Sequence, residues 1–372
     1  MSTRWLADRT NCFDSSGIRK VFELGAKLPD PINLSIGQPD FDVPIQVRRA
    51  AIEAIEGQKN GYALTQGIPV LLEKLQARID RQYKHADRQV FVTSGTSGAL
   101  MLAMLVLVNP GDEVIVFDPC FVMYDALAAL VGGRVVRIDT YPDFRLPLDR
   151  IAEAITPRTK AIVFNSPANP TGVVATEEEV RGLAELAAER NVVLLSDEVY
   201  SQFCYDRPFV SPALYNPDTL VVDGFSKTYA VPGWRLGFAH GPSAIIQQMI
   251  KLQQYSFVCA PHPFQWAAAV AMDVEVGHCI DEYRHKRNMI YEGLCDLYDL
   301  VRPSGAFYTF PQAPWGTATQ FVTRAIEKYQ LLIIPGSVFG KHDTHFRISY
   351  AAPDSVLLRG IDALRKLARE RP

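Results

Sequence analysis

Short runs of β-branched and aliphatic residues alternate with longer helical patterns through the middle of the chain. The runs at 90–93, 113–117, 134–138, 160–164, 192–197 and 220–224 have the length and residue types of strands. They are nearly continuous in apolar residues, as strands covered on both faces are. Helical spacing of apolar positions fills the intervals 97–108, 121–131, 148–154 and 176–190. Strand–helix–strand alternation implies right-handed crossovers and an α/β fold built on a mostly parallel sheet of about seven strands with helices on both faces.

The pattern changes after residue 240. The stretch SAIIQQMIKLQQ reads as a helix, and 264–299 as a long, mostly helical segment. Shorter strands are expected in GAFYTF, LLIIPG and FRISYA, and an amphipathic helix over about 354–370. Pro29, Pro31, Pro39 and Pro44 prevent the first forty residues from forming a sheet core alone. They are expected to pack with the C-terminal part. This gives a smaller α+β domain from residues 1–44 and 282–372 beside a large domain over 45–281.

Composition narrows the function classes. A net charge of −3 over 372 residues gives no basic footprint for a nucleic acid. The six cysteines are scattered without a C-x-x-C pair, which suggests reduced, mostly buried thiols in a cytoplasmic protein. The N-terminal stretch has no apolar core of a signal peptide. The longest apolar run, Ala99 to Val108, is too short to span a bilayer. The seven histidines show no H-E-x-x-H pattern, and His342 and His345 read as loop residues, so no metal site is expected.

In a parallel sheet, ligands bind beyond the carboxyl ends of the strands. The segments there are SGTSGAL (94–100), DPCFVMY (118–124), NSPANPTG (165–172), Asp197 with EVY behind it, and FSKTYAVPGWR (225–235). Each has a plain reading and a chemical one. The SGTSGAL turn is either a helix cap or a phosphate site made of free backbone N–H groups. Asp197 is either a cap or buried ion pair, or the partner of a protonated ring nitrogen. Asn169 is a turn residue and Tyr200 a core residue, or both donate to a phenolate-like oxygen. Lys227 is a surface lysine, or an amine of depressed pKa able to form a Schiff base. Taken together, these groups complement one molecule, pyridoxal 5′-phosphate, with Lys227 holding its aldehyde.

The same blocks, with NLSIGQPDFDVP (33–44), GYALTQGIPVL (61–71) and FRISYA (346–351), resemble the fold-type I pyridoxal-phosphate enzymes. The resemblance is to the class I/II aminotransferases near the aspartate and aromatic enzymes, and it covers nearly the whole chain. It implies a ping-pong transfer of an amino group between an L-amino acid and a 2-oxo acid through an aldimine at Lys227. It further implies Asp197 on the pyridine nitrogen, Asn169 and Tyr200 on the ring 3′-oxygen, and Phe121 stacked on the ring. Thr96, Ser97, Ser226 and Arg235 would hold the phosphate, and Arg347, Asn169 and the Gly37 backbone the substrate carboxylate. Tyr62 would reach the phosphate of a neighbouring subunit, which implies a homodimer with shared sites.

The chain departs from the family pattern in three places. Gly224 stands where a first phosphate serine is usual, Thr96-Ser97-Gly98 replaces a turn that in some relatives has a second glycine, and the segment before LLIIPG is short. A C–S β-lyase on the same scaffold and a catalytically silent cofactor-binding regulator are the rival readings. Aspartate, aromatic, alanine and methionine donors all remain open. Arg19 is a candidate for a distal carboxylate, but reads better as a solvated helix residue. Ile18 and Tyr308 could line an apolar side-chain pocket, or simply pack.

Overall fold

The structure, a computed structural model, describes residues 5–370. Helix α1 (Gly17–Gly25) leads into β1 (Ile32–Asn33), α2 (Ile45–Glu56) and α3 (Pro69–Tyr83). The central sheet follows: β2 (Gln89–Thr93), β3 (Glu113–Asp118), β4 (Arg134–Asp139), β5 (Thr159–Asn165), β6 (Val193–Asp197), β7 (Leu220–Gly224) and β8 (Gly237–Gly241). Its crossovers contain α4 (Gly95–Leu107), α5 (Met123–Leu130), α6 (Leu148–Ala154) and α7 (Glu177–Glu189). The chain continues through α8 (Ser243–Gln254), α9 (His262–Ala271) and α10 (Gly277–Leu294). It ends with β9 (Tyr308–Thr309), α11 (Ala318–Tyr329), β10 (Leu331–Leu332), β11 (Ile334–Pro335), β12 (Phe346–Ser349) and α12 (Asp354–Ala368).

The sheet order is β2-β8-β7-β6-β5-β3-β4. All the expected middle strands are present within a residue or so of the stretches read from sequence. Strand β8 was not foreseen. It runs antiparallel between β2 and β7, and its sequence, Gly-Phe-Ala-His-Gly, contains no β-branched residue to signal it.

One face of the sheet is covered by α4, α5 and α8, whose Leu102, Ala128 and Met249 pack on Val116, Leu195 and Val222. The other is covered by α3 and α9 over β2, β7 and β8 and by α6 and α7 over β3, β5 and β6. Burial on both faces explains the continuous apolar strands. Helix α7 starts where it does because Thr176 and Glu179 form a reciprocal capping box.

The chain ends meet as expected. Strand β1 pairs in parallel with β10, and β12 pairs antiparallel with β11 and β9. Leu34 joins the two small sheets, donating to the Leu332 carbonyl (3.0 Å) and accepting from Ser349 N–H (2.8 Å).

The 264–299 stretch is mostly helical, as expected, and consists of two helices, α9 and α10, with a break between them that includes Asp273 and Val274. Two expectations are corrected. His345 is buried and stacked on Phe310, with ring centroids 5.4 Å apart, because its segment crosses the aromatic core instead of looping out. Of the six free cysteines only Cys120 and Cys279 are buried. Among the described residues no helix is long and apolar enough to cross a membrane.

Candidate active site

The carboxyl ends of β2, β5, β6 and β7 open onto a cavity of about 200 Å³. Thr96, Ser97, Phe121, Asn169, Asp197, Tyr200, Ser226, Lys227, Arg235, Gly37 and Arg347 all line it. Tyr62, also singled out from sequence for the site, lies outside: it is 87 % exposed on this chain. Ile18 and Tyr308 also line the cavity, whereas Arg19 is exposed on α1.

Lys227 follows β7 and donates from Nζ to the Gly37 carbonyl at 2.6 Å. Burial, with Arg347 and Arg235 adding repulsion, lowers its pKa to about 8 against the opposing pull of Asp197. A sizeable fraction is therefore the free amine near neutrality, the form that attacks a carbonyl.

Asp197 ends β6. Its Oδ2 accepts from the Tyr124 hydroxyl at 2.8 Å and its Oδ1 from the Val199 N–H at 3.3 Å. Burial pushes its pKa up to about 6, against the pull of those two donors and of Lys227. Both donors are neutral, so a cationic ring nitrogen would complete the site and lower that pKa again.

Arg347, on β12, is 1 % exposed. It donates to Asn169 Oδ1 at 2.9 Å and to the Ser35 carbonyl at 2.6 Å, and its Nε has no partner among the described residues. The guanidinium lies 4.6 Å from the Tyr308 ring centroid and 4.9 Å from that of Phe339. A buried guanidinium answered only by neutral acceptors and two aromatic faces is costly without an anion. A carboxylate is the ligand its planar fork matches.

The phosphate end is built on α4. Gly95 adopts φ +71°, and a side chain there would come within 2.7 Å of the Arg235 guanidinium. Glycine thus lets Arg235 lie across the helix N-terminus, where Nη2 reaches Ser97 Oγ at 3.3 Å. The free N–H groups of the first turn and the helix dipole favour an anion at this point. Arg235 itself is left-handed, with φ +54°, an uncommon conformation for a residue with a side chain. Gly224, where a serine is usual, faces Thr96: a Cβ there would lie 3.2 Å from Thr96 Cγ2. The γ-methyl of Thr96 thus crowds the position a serine would occupy.

The Tyr200 and Tyr308 hydroxyls are 2.8 Å apart, and burial raises the pKa of both, so both remain phenols. Sequence reasoning missed Tyr124 and Asn165. Asn165 donates to the Asp197 carbonyl (2.9 Å) and accepts from Asn169 N–H (2.9 Å). Both residues lie within the strand-end segments, so the signal available was position, three residues after Phe121 and four before Asn169.

Known proteins share this arrangement. The solved structure of aspartate aminotransferase from Thermus thermophilus with maleate aligns with a TM-score of 0.93 at 34 % identity, over 97 % of this chain and 99 % of that one. Fold and cavity alike define a pyridoxal-phosphate enzyme of fold type I. The chain is 36 % identical over 375 residues to a probable aspartate aminotransferase of Methanocaldococcus jannaschii, covering 97 % of this chain and 99 % of the relative. It is 34 % identical over 387 residues to aromatic-amino-acid aminotransferase 2 of Thermococcus litoralis, covering 98 % and 99 %. A model of the family "Aminotransferase class I and II" matches residues 29–364, and the chain belongs to that family. It is a pyridoxal-phosphate-dependent transaminase that passes an amino group between an amino acid and a 2-oxo acid by a ping-pong mechanism.

Proposed function

We propose that Lys227 is the residue that carries the cofactor aldehyde and moves the substrate's α-proton, with Asp197 and Arg347 at opposite ends of the reacting system. One observation carries this reading. A buried arginine without a carboxylate, a buried aspartate with only neutral donors and a lysine of lowered pKa all line one cavity.

When bound, pyridoxal phosphate supplies the electron sink for loss of the α-proton. Asp197 keeps a proton on the ring nitrogen. The Tyr200 hydroxyl, 2.8 Å from that of Tyr308, would serve the ring 3′-oxygen alongside the Asn169 amide. Phe121 covers the ring, while Thr96, Ser97, Ser226 and Arg235 hold the phosphate. Arg347 forks onto the α-carboxylate beside Asn169 and the Gly37 backbone. Lys227 Nζ would be the amine that holds the aldehyde between turnovers and, once free, takes and returns the substrate's α-proton. Division of the chain into 1–44 with 282–372 and 45–281 belongs to the same reading, with the second boundary inside α10.

The test is chemical. Reconstituted protein treated with borohydride should yield one peptide modified at Lys227. Conversion of an amino acid to its 2-oxo acid should require a 2-oxo acid acceptor. Label on another lysine, or ammonia release without acceptor, would count against the reading.

A cytoplasmic homodimer is part of the proposal. The free thiols suit a reducing compartment. Exposed Tyr62 and Leu64 adjoin the α8 end, where Gln253 donates to the Thr65 carbonyl at 2.7 Å and exposed Tyr255 and Phe257 follow. Phe257 also packs near Gly98 of the phosphate turn, so this apolar patch borders the site. Tyr62→Ala should weaken cofactor retention about tenfold, the value of a hydrogen bond to a charged group. In a mixture with Lys227→Ala protein, activity should return, because one site in each mixed dimer is then intact. Additive activities on mixing would show that each site is complete within one chain.

A further inference from the structure

Behind Asp197, on the opposite face of the sheet, lies a second polar cavity of about 220 Å³. Two carboxyl groups line it, Glu198 and Asp223. Both are buried, 3 % and 9 % exposed. Register places them together: Asp197 pairs with Val222, and the Glu198 N–H donates to the Val222 carbonyl at 2.8 Å. Strand alternation then turns Asp197 towards the cofactor cavity, and Glu198 and Asp223 away from it. Neither lines the front cavity.

The partners of this pair are neutral. Glu198 Oε1 accepts from the Ser196 and Ser211 hydroxyls at 2.9 and 2.6 Å, and Asp223 Oδ1 from the Gly224 N–H at 2.6 Å. The charged and titratable groups around them are Arg78 and Tyr83 from α3, Arg88 from the turn before β2, Tyr229 after β7, His240 from β8, and Asp197 through the sheet. Arg88 is turned to the Thr219 carbonyl and to His240 Nδ1. His240 is held neutral by burial and by Arg88 and Arg78.

Two buried carboxylates lining one cavity in a low-dielectric setting resist ionising together. Burial pushes Glu198 up to about 8, with the charge on Asp223 raising it further, and pushes Asp223 up to about 7 against the pull of Arg78 and the Gly224 N–H. Asp223 also feels the charge on Asp197.

We propose that Asp223 and Glu198 form a titrating pair whose charge, acting through the sheet, sets the proton affinity of the Asp197–cofactor system in front of it. The proposal rests on the reading of Asp197 as the ring-nitrogen partner. As the pH rises, the pair gains negative charge and favours protonated forms in front. These are positioning residues that act only through the field at Asp197.

Two variants keep the shape and the accepting oxygens, Asp223→Asn and Glu198→Gln. The first measurement uses cofactor-free protein. A carboxyl whose pKa is raised in the fold contributes stability that is present below its unfolded value, 3.8 for Asp223 and 4.5 for Glu198, and lost as pH rises through about 7 and about 8. Urea midpoints should therefore show each variant gaining on wild type from pH 5 to pH 8.5, roughly the span over which the pair ionises. The second measurement is the pH midpoint of the visible absorbance of cofactor-loaded protein. Each variant should lower it by about half a unit, a modest Coulomb effect across a sheet.

A stability difference flat with pH would overturn the pair, and an absorbance midpoint unchanged in both variants would overturn its action on the site. Failure of the underlying reading is visible separately, as borohydride label on a residue other than Lys227.

Discussion

Lys227→Ala is expected to lower amino-group exchange by about 10⁴-fold, the upper end of what a positioned acid–base group contributes. The loss is large because one amine has two tasks, the covalent link and the proton transfer. Among the described residues no other amine lines the cavity to take either one. The Tyr200 and Tyr308 hydroxyls engage each other and remain protonated, and Asp197 is tied to Tyr124 and Val199. The variant should still bind cofactor, because Arg235 and the α4 N-terminus remain, but without a borohydride-stable link. Single-turnover absorbance changes with an amino acid measure the rate directly. A rate within tenfold of wild type would remove Lys227 from the chemistry.

Arg347→Ala should cost about 2–5 kcal/mol in kcat/KM, the usual loss when one member of a buried charged pair is removed. That corresponds to roughly 30- to 5,000-fold. Arg347→Lys should recover only part of it, since a single ammonium cannot span both the Asn169 oxygen and a carboxylate. The effect should appear for every amino acid tried, because the carboxylate is common to all. Borohydride labelling of Lys227 should persist in both variants, which separates substrate binding from cofactor binding. An unchanged KM in Arg347→Ala, with normal labelling, would move the carboxylate site elsewhere.

Much of the large sheet was legible because burial on both faces imposes continuous apolar runs, and six of its seven strands carry them. Strand β8 was not, since Gly237 and Gly241 carry no pattern and their fit depends on neighbours distant in sequence. The residues lining the cavity were legible where an unusual residue stands at a strand end, as with Lys227, Asp197 and Asn169. Arg347 was reached through resemblance alone, as nothing in FRISYA signals that its arginine is buried between Tyr308 and Phe339. Tyr124 and Asn165 were invisible for a further reason: each acts on another protein group, a contact that only the folded chain creates.

The short stretch from Leu34 to Gly37 stitches the two small sheets together at one end, and its Ser35 and Gly37 carbonyls accept from Arg347 and Lys227. The carbonyls of this segment are set by position along the chain, so it is a ruler whose graduations are single residues. One inserted or deleted residue would swing both oxygens off their cations while the sheets stayed knit. Variation during descent should therefore be fixed in length along these four positions, and at Gly37 in letter as well, since a Cβ there would collide with the Tyr308 hydroxyl.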